Sequence, residues 1–491
     1  MKRLFIIMVG FCLCIGQGFG QNNLRNQLHS DFQQLRQNLH KEFESLRAQN
    51  MREYVEFVRK TWKEFESVSP VPVPHEKTLP PVPFPQEELS KPIKDKPVFI
   101  DEVIEAVVIA PQPQPIQPIE KAPVKNTKYL DFTFFGTAAK VRFDKDFRVA
   151  LKSVDENSVA DALQAMSNKT YSNMLLDCLA LRDKLRLSDW GYLQMLKSLT
   201  YTLAGSATND ATLLLTYLFT QSGYKARIAV HANQLYMLYA SSYQIYDQAC
   251  YVIDNISYYG IEELPNSLQI CPATFLKEKE LSLAVTMEQQ FAMEGSTTRL
   301  LKSANRPDVR CTVNVNKNLI DFYNTYPTSE VGGNFMTKWA IYANTPLQTE
   351  VREQLYPALR KYIEGKSQKE AVGTLLDFVQ WAFVYELDEK VWGHDRAFFA
   401  EETLYYPYAD CEDRAILFSR LVRDLVGLKV VLVFYPGHLA TAVQFKEPVQ
   451  GDFLLFENQR YVICDPTCIG APVGRTMSGM DNKSAKVIQC Y

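Results

Sequence analysis

Two segments of this 491-residue chain share one order of features: apolar residues at helical spacing, a glycine, and then an apolar run rich in β-branched residues. They are NDATLLLTYLFTQSGYKARIAV (209–230) and DRAILFSRLVRDLVGLKVVLVF (413–434), in which Gly223 matches Gly427 at an offset of 204 residues. This order predicts a helix that ends at the glycine and leads into a strand. Two α/β units of similar build would follow, although a short match of helix, glycine and strand also arises without any repeat.

The second segment is bordered by residues that carry chemistry. Cys411 falls at the first turn of the predicted helix, where the helix N-terminus supplies partial positive charge and free N–H groups. His438 follows a Pro-Gly turn and begins the apolar strand HLATAVQF, while Asp465 follows the later strand RYVIC. A thiol attacks carbonyls as a thiolate and needs a nearby base, and a carboxylate can orient that base. We therefore predict that these three residues meet in one site.

Each of the three also has a plainer interpretation. Cys411 alone suits a buried structural thiol, His438 a polar strand end, and Asp465-Pro466 a turn. His394, in WGHDRAFF, is the alternative base if His438 points away.

The first segment lacks these groups. At the same offset, Ala207 and Gln234 stand opposite the cysteine and the histidine. Downstream, YVIDN (251–255) echoes YVICDP (461–466). If the repeat is real, the first copy has lost its chemistry.

The remaining cysteines indicate neither a metal site nor a disulfide scaffold. Outside the first 20 residues the chain has Cys178, Cys250, Cys271, Cys311, Cys411, Cys464, Cys468 and Cys490. Eight are few for a disulfide scaffold of this length, although one or two bridges stay open. Cys464 and Cys468 lack a second pair or nearby histidines, which disfavours zinc, and they could equally form a bridge beside the site. We expect no metal and no organic cofactor.

Residues 1–20, MKRLFIIMVGFCLCIGQGFG, have the charged start, short apolar run and small-residue end of a secretory signal peptide. No later segment has about 18 uninterrupted apolar residues, as a membrane span would need. The net charge of −3 gives no field that would recruit nucleic acid or an anionic membrane. We expect an exported protein without a transmembrane span and without a nucleic-acid partner.

Residues 21–67 contain an 11-residue repeat, in which Leu24, Leu35, Leu46 and Phe57 fall in register. An 11-residue period keeps one apolar stripe along a helix. We predict a long amphipathic helix over this range. Its stripe would pair with a second copy, with a partner in the cell envelope, or with the body of the protein.

Residues 68–127 form a proline-rich segment, because 14 of the 25 prolines lie between Pro70 and Pro123. Such a composition favours polyproline II and predicts a semi-rigid spacer. Within it, VFIDEVIEAVVIA (98–110) is apolar enough to dock as a strand.

The rest of the chain is predicted to be globular and α+β. Its predicted parts are an α/β unit at 128–279, a small β region at 280–330, and a C-terminal α+β domain at 331–491. Alternating apolar patterns predict strands at 224–230 and 234–240 within the first of these.

Three motifs in this order resemble the transglutaminase-like cysteine enzymes, which share the papain-type arrangement: ADCEDRAILFSRLVRDLVGL, YPGHLATAVQF and RYVICDPT. The resemblance covers about residues 330–480. As a whole, the chain looks like exported transglutaminase-domain proteins of Gram-negative, Bacteroidetes-type bacteria, which similarly carry an N-terminal helical segment and a proline-rich spacer. The resemblance implies a papain-like core at the C-terminus, a degenerate transglutaminase-like unit before it, and a location in the periplasm, on the cell surface or in the medium.

Carried over by position, the resemblance makes Cys411 the nucleophile, His438 the general base and acid, and Asp465 the orienting carboxylate. The backbone N–H of Cys411 would be one oxyanion donor, and Trp381 or Tyr406 are candidates for the second. The implied enzyme attacks the carbonyl of an amide or peptide bond and forms a thioester. We favour hydrolysis of that thioester over crosslinking, because nothing in the sequence specifies an acceptor lysine.

The chain departs from the family pattern beside the nucleophile. Asp410 stands where a small residue is common, and Glu412 and Asp413 oppose ionisation of the thiol. The alternative to an enzyme is therefore an inert scaffold or binding module of the cell envelope.

Overall fold

The computed structural model describes residues 21–74, 78–105, 107, 111–116, 128–143, 150–167, 169–206, 208–275 and 277–490. The chain is an α+β protein, as the sequence predicted. The predicted signal peptide (1–20) and Ala207 lie outside these ranges. Within them, no helix combines the length and the apolar character needed to cross a membrane.

The described residues form helices of 4 to 38 residues. These are α1 (Gln21–Val58), α2 (Gln86–Leu89), α3 (Glu156–Met166), α4 (Lys169–Lys184), α5 (Asp189–Ala204), α6 (Asn209–Gln221), α7 (Lys317–Tyr323), α8 (Thr337–Asn344), α9 (Thr349–Ile363), α10 (Gln368–Ala382), α11 (Asp388–Val391), α12 (Ala400–Tyr405) and α13 (Cys411–Val426).

The strands fall into two large sheets and three two-stranded pairs. They are β1 (Lys63–Glu66), β2 (Lys96–Phe99), β3 (Val103–Ile104), β4 (Lys128–Phe134), β5 (Thr137–Phe143), β6 (Ala226–His231), β7 (Gln234–Ala240), β8 (Tyr243–Ile245), β9 (Cys250–Ile253), β10 (Ile256–Gly260), β11 (Ser267–Cys271), β12 (Arg299–Lys302), β13 (Arg310–Val313), β14 (Ser329–Val331), β15 (Lys429–Tyr435), β16 (His438–Gln444), β17 (Asp452–Phe456), β18 (Gln459–Cys464) and β19 (Lys486–Gln489).

The two large sheets, of six and seven strands, share five corresponding strands in the same spatial order. The first runs β1-β11-β6-β7-β10-β9 and the second β2-β17-β18-β16-β15-β19-β3, so that β6, β7, β9, β10 and β11 correspond to β15, β16, β17, β18 and β19. The central hairpins also share their register: His231 pairs with Gln234, and 204 residues later Tyr435 pairs with His438. In each unit the preceding helix, α6 or α13, packs on this hairpin. The two units therefore have the same core topology.

The sequence similarity between 251–255 and 461–466 does not correspond to equivalent strands. YVI of the first unit lies in β9, at the edge of its sheet, whereas YVIC of the second unit lies in β18, next to the central hairpin. The strand that corresponds to β18 is β10. Strands rich in aromatic and β-branched residues have similar sequences wherever they lie in a sheet, so the sequence similarity did not indicate which strands correspond.

The N-terminal helix is shorter than predicted. It ends at Val58, and residues 63–66 form β1, which pairs with β11 of the first sheet. At this end, Trp62 Nε1 and Thr61 Oγ1 donate to the carbonyls of Val58 and Phe57, which the helix itself leaves unpaired. The last turns of the helix pack against α3 and bury Met51, Tyr54, Val55 and Val58. At this end, the apolar stripe thus packs on the body of the protein.

The described part of the proline-rich segment is not a free spacer. Its strand β2 pairs in parallel with β17, and β3 pairs in parallel with β19, so the segment supplies both edges of the second sheet. Docking of part of 98–110 as a strand, which the sequence predicted, is observed in Val98–Phe99 and in β3. Pro97 is tolerated because it lies on an edge strand, where one missing N–H does not interrupt the sheet.

The predicted small β region at 280–330 is only partly β. It contains the hairpin β12–β13, but residues 317–323 form the helix α7. Asn316 starts this helix, because its side chain accepts a hydrogen bond from the N–H of Asn318 at 3.1 Å.

One apolar core runs through both units. The eight described cysteines are all free thiols, so neither a Cys464–Cys468 bridge nor any other disulfide is formed in the described chain.

Candidate active site

The start of α13 is fixed by a reciprocal cap. The Asp410 side chain accepts hydrogen bonds from the N–H groups of Glu412 (3.1 Å) and Asp413 (3.5 Å), and the Asp413 side chain accepts one from the N–H of Asp410 (3.1 Å). Such a capping box satisfies N–H groups that the helix itself leaves unpaired. It makes Cys411 the first residue of the helix, where the sequence predicted it. Only 2% of Cys411 is exposed.

His438 and Asp465 form a buried pair. The Nε2 atom of His438 lies 2.9 Å from Oδ2 of Asp465, and each residue is 2% exposed. The other oxygen of Asp465 accepts hydrogen bonds from the N–H groups of Thr467 (2.9 Å) and Cys468 (3.1 Å). Burial alone would raise the pKa of Asp465, but the charge and hydrogen bond of His438 and the two backbone donors together lower it. The carboxylate is therefore held ionised in front of the imidazole.

The second ring nitrogen of His438 has no hydrogen bond among the described residues. This atom, Nδ1, is buried. Because Asp465 occupies Nε2, Nδ1 is the atom that remains for proton exchange with a nucleophile.

Cys411 and His438 line one small cavity of about 30 Å³. The walls are Pro74, Thr78, Phe335, Lys338, Trp339, Asp395, Cys411, Glu412, Phe434, Gly437, His438 and Leu439. The backbone N–H of Leu439 hydrogen-bonds the Cys411 thiol and lowers its pKa. Nucleophile, base and carboxylate candidates are thus brought together by the start of α13 and the facing ends of β16 and β18.

The environment of the thiol is acidic. Burial raises the pKa of Cys411 well above its ordinary value, and the neighbouring Asp410 and Glu412 raise it further. Glu412 and Asp413, the acidic residues after the cysteine, both act in this direction. In the closed cavity the thiol is the favoured form of Cys411.

A cluster of carboxylates lies beside the cavity. One oxygen each of Asp388, Asp395 and Glu412 lies within 4.8 Å of the others, and Lys338 Nζ is 2.7 Å from Asp395 Oδ2. Burial and the charge of Glu412 raise the pKa of Asp388 to about 8, and burial and Asp395 raise that of Glu412 well above its usual range. Several oxygens so close could hold a hard cation. Lys338 already supplies positive charge there, and the raised pKa values mean that part of the cluster is protonated at neutral pH.

Two buried residues that sequence reasoning missed hold the site in place. The side-chain Nε2 of Gln380, on α10, is the donor to the carbonyl oxygens of Asp465, Cys468 and Ala471, which lie 2.9–3.0 Å from it. The side-chain oxygen of Gln380 accepts from the N–H of Gly470. Gln380 therefore fixes the loop that carries the carboxylate. No sequence pattern separates this glutamine from other polar residues of a helix.

Arg414 is the second buried residue that sequence reasoning missed. Its guanidinium donates to the carbonyls of Ala409, Gln380 and Phe383, and so ties the start of α13 to the end of α10. Burial lowers its pKa to about 10.

The other candidates lie elsewhere. His394, the alternative base, is exposed, its Nδ1 is 3.0 Å from the carbonyl of Trp392, and it does not line the cavity of Cys411. The Tyr406 hydroxyl donates to Asn324 Oδ1 at 3.0 Å, and neither Tyr406 nor Trp381 lines the cavity. Trp339 does line it.

In comparisons with known proteins, no protein-family model, no curated protein and no solved structure matches this chain significantly.

Proposed function

We propose that the protein is an exported, transglutaminase-like cysteine enzyme that acts on amide or peptide bonds through a thioester. The observation that carries this proposal is the His438–Asp465 pair at 2.9 Å: His438 has no hydrogen-bond partner at Nδ1 among the described residues and lines one small cavity with Cys411, which lies at a helix N-terminus. A nucleophile, a base and an orienting carboxylate in this order are the parts that acyl transfer needs.

Each residue has one role in the reaction. His438 Nδ1 accepts the proton of Cys411 as Sγ attacks the carbonyl carbon, and the carbonyl oxygen becomes an oxyanion. When the C–N bond breaks, His438 returns that proton to the leaving nitrogen, so that an amine or ammonia departs and a thioester remains. Water, deprotonated by His438, then attacks the thioester and releases a carboxylic acid and the thiol.

Asp465 acts on the histidine rather than on the substrate. It accepts a hydrogen bond from Nε2 and stabilises the imidazolium that forms while the thiolate attacks. Since both groups are buried, this charged hydrogen bond is little weakened by solvent.

The proposal is tested first by iodoacetamide labelling of the folded protein without its first 20 residues, over a range of pH, with mass spectrometry at each cysteine. When the cavity opens, His438 can take the proton of Cys411, so we expect Cys411 to label faster than the other thiols below pH 7 and to slow after His438→Ala. His394→Ala is the matched control, because that histidine is exposed and lies outside the cavity. Equal labelling of Cys411 in the wild type and in His438→Ala would contradict the thiolate–imidazole pair.

Hydrolysis and crosslinking are separated by a second measurement. A glutamine-containing peptide is supplied with and without a primary amine, and ammonia and the peptide products are followed. Hydrolysis gives the same ammonia release in both cases and a peptide acid. Incorporation of the amine into the peptide would instead mark an acyl transferase.

The second candidate is an inert scaffold of the cell envelope. It is favoured by the raised pKa of Cys411 and by a cavity too small for a substrate. In that case no thiol would label selectively at any pH below 8.

A further inference from the structure

Part of the proline-rich segment lies across the candidate site. We call residues 68–74 and 78–84 the strap. On the first unit, Val68 pairs with Cys250, and the carbonyl of Val71 accepts from the N–H of Asp247 at 2.8 Å. On the second unit, Phe84 donates its N–H to Ile469 at 2.9 Å, and its ring is buried against Cys468, Ala471 and Met477. The strap is thus anchored on both sides of the cavity.

Between these anchors the strap closes the cavity. Pro74 and Thr78 form part of the wall that Cys411 and His438 also line. The N–H of Leu79 donates to the carbonyl of Gly437 at 2.8 Å, and Gly437 is the residue directly before His438.

The strap also contacts Tyr385, which follows helix α10. The Tyr385 hydroxyl donates to the carbonyl of Leu79 at 3.4 Å. Tyr385 lies near the start of α13, because the guanidinium carbon of Arg414 is 5.4 Å from the centroid of the Tyr385 ring. The backbone of Leu79 is therefore hydrogen-bonded both to Gly437, directly before His438, and to Tyr385, near the start of α13.

We infer that the strap occupies a groove for extended polypeptide, in the place that a substrate chain would take. This inference rests on the proposed function. Its contacts at Leu79 use main-chain N–H and C=O, which any extended peptide offers, as in recognition by strand addition. Prolines at 80, 81 and 83 keep this part of the chain extended. The substrate class is accordingly an extended polypeptide bound through its backbone.

The groove is closed while the strap is in place. A cavity of about 30 Å³ holds roughly one water molecule, whereas ligand pockets have about 300 Å³ or more. The strap must leave before a substrate enters, and its two anchors give it a high effective concentration for rebinding. Leu79 and Val82 are 37% and 42% exposed, so the middle of the strap buries its apolar side chains only in part.

A matched pair of substitutions at one residue tests the inference. Leu79→Pro removes the N–H that donates to Gly437 and leaves the residue extended, while Leu79→Ala shortens the side chain and keeps the N–H. We measure alkylation of Cys411 by iodoacetamide in the full chain without its first 20 residues. Leu79→Pro should label five- to tenfold faster than both Leu79→Ala and the wild type, which is the effect expected for one hydrogen bond.

Cys464 is the internal control, because it is fully buried next to Asp465 and lies away from the strap contacts. Its labelling rate should not change, whereas general unfolding would raise it together with that of Cys411. Equal Cys411 rates in the Pro and Ala variants, or a parallel rise at Cys464, would overturn the inference.

Failure of the strap and failure of the proposed function give different results. If Leu79→Pro exposes Cys411 and an added His438→Ala slows it again, both are supported. If Leu79→Pro exposes Cys411 and an added His438→Ala has no effect, the strap covers a thiol that has no base. The proposed enzymatic function is then wrong, but the inference that the strap occupies the groove stands. A synthetic peptide of residues 70–84 should slow labelling of Leu79→Pro, and a peptide of scrambled sequence should not.

Discussion

The two large sheets have the same strand order and the same central register, yet only one carries a site. At the turn where the second unit has buried His438, the first has exposed Gln234. By the register of β10 against β7 and of β18 against β16, Asp465 corresponds to Glu262. Glu262 accepts from Tyr201 and pairs with Lys197 near the surface. The same scaffold thus supports either a buried charged pair or a surface contact.

The difference lies in what surrounds the hairpin. In the second unit, α13 begins at Cys411, while α6 begins at Asn209, whose counterpart at the same offset is Asp413. Gln380 then binds the loop after β18 and holds Asp465 in the core. A shared topology positions strands, but burial and loop contacts decide whether side chains at their ends can react.

Removing the nucleophile gives the largest expected difference between the units. Cys411→Ala should lower hydrolysis at least about 10³-fold, because the thioester cannot form. The control in the first sheet is Cys271→Ala, which should retain activity. Activity is measured as peptide hydrolysis in the Leu79→Pro background, in which we expect the groove to open five- to tenfold more often. Equal loss in both variants would show that the two units do not differ in chemistry.

Removing the carboxylate is the next largest change. Asp465→Asn keeps an oxygen for the N–H groups of Thr467 and Cys468 but removes the charge that stabilises the imidazolium. Activity in the open background should fall by about 10²-fold or more. Glu262→Gln, at the corresponding place, should leave activity unchanged. A smaller effect of Asp465→Asn than of Glu262→Gln would contradict the assignment of the reactive site to the second unit.

The sequence allowed the central parts of the second unit to be predicted, because their signals are local. Helical spacing after Cys411, a glycine stop and a Pro-Gly turn give α13, β15 and β16 within a few residues. The residue types at the ends of these elements indicated which side chains meet. The internal match of helix, glycine and strand likewise indicated two units with one topology.

What the sequence did not reveal depends on contacts between distant segments. The strap reaches Gly437 from more than 350 positions away, and its prolines looked like those of a spacer. Gln380 has no pattern that marks it, since its role depends on the loop folded against it. The end of α1 was also missed, because pairing of β1 with β11 overrides the helical repeat.

The second unit should also be the more sensitive to pH, because it concentrates buried carboxylates. Burial raises the pKa of Glu401 to about 8, against an ordinary value of 4.5. Between these values the folded state binds more protons than the unfolded state, so stability falls as pH rises from 4.5 to 8 and then levels off. Glu401→Gln should remove this loss, which is on the order of 5 kcal/mol since one pKa unit corresponds to about 1.4 kcal/mol.

Urea unfolding at several pH values measures the effect. The exposed Glu364→Gln is the control and should keep the wild-type slope of stability against pH. An unchanged slope in Glu401→Gln would mean that this carboxyl is not the group that titrates.

The smallest expected effect tests whether register alone can create reactivity. Gln234→His places an imidazole at the position of His438 in the first unit, on an exposed strand end next to His231. We expect no faster labelling of Cys250 or Cys271 at any pH, and a stability change below about 0.5 kcal/mol, as for other surface substitutions. The reason is that β7 faces solvent there and Glu262 is engaged with Tyr201. Histidine-dependent labelling in this variant would show that strand position carries more of the chemistry than burial does.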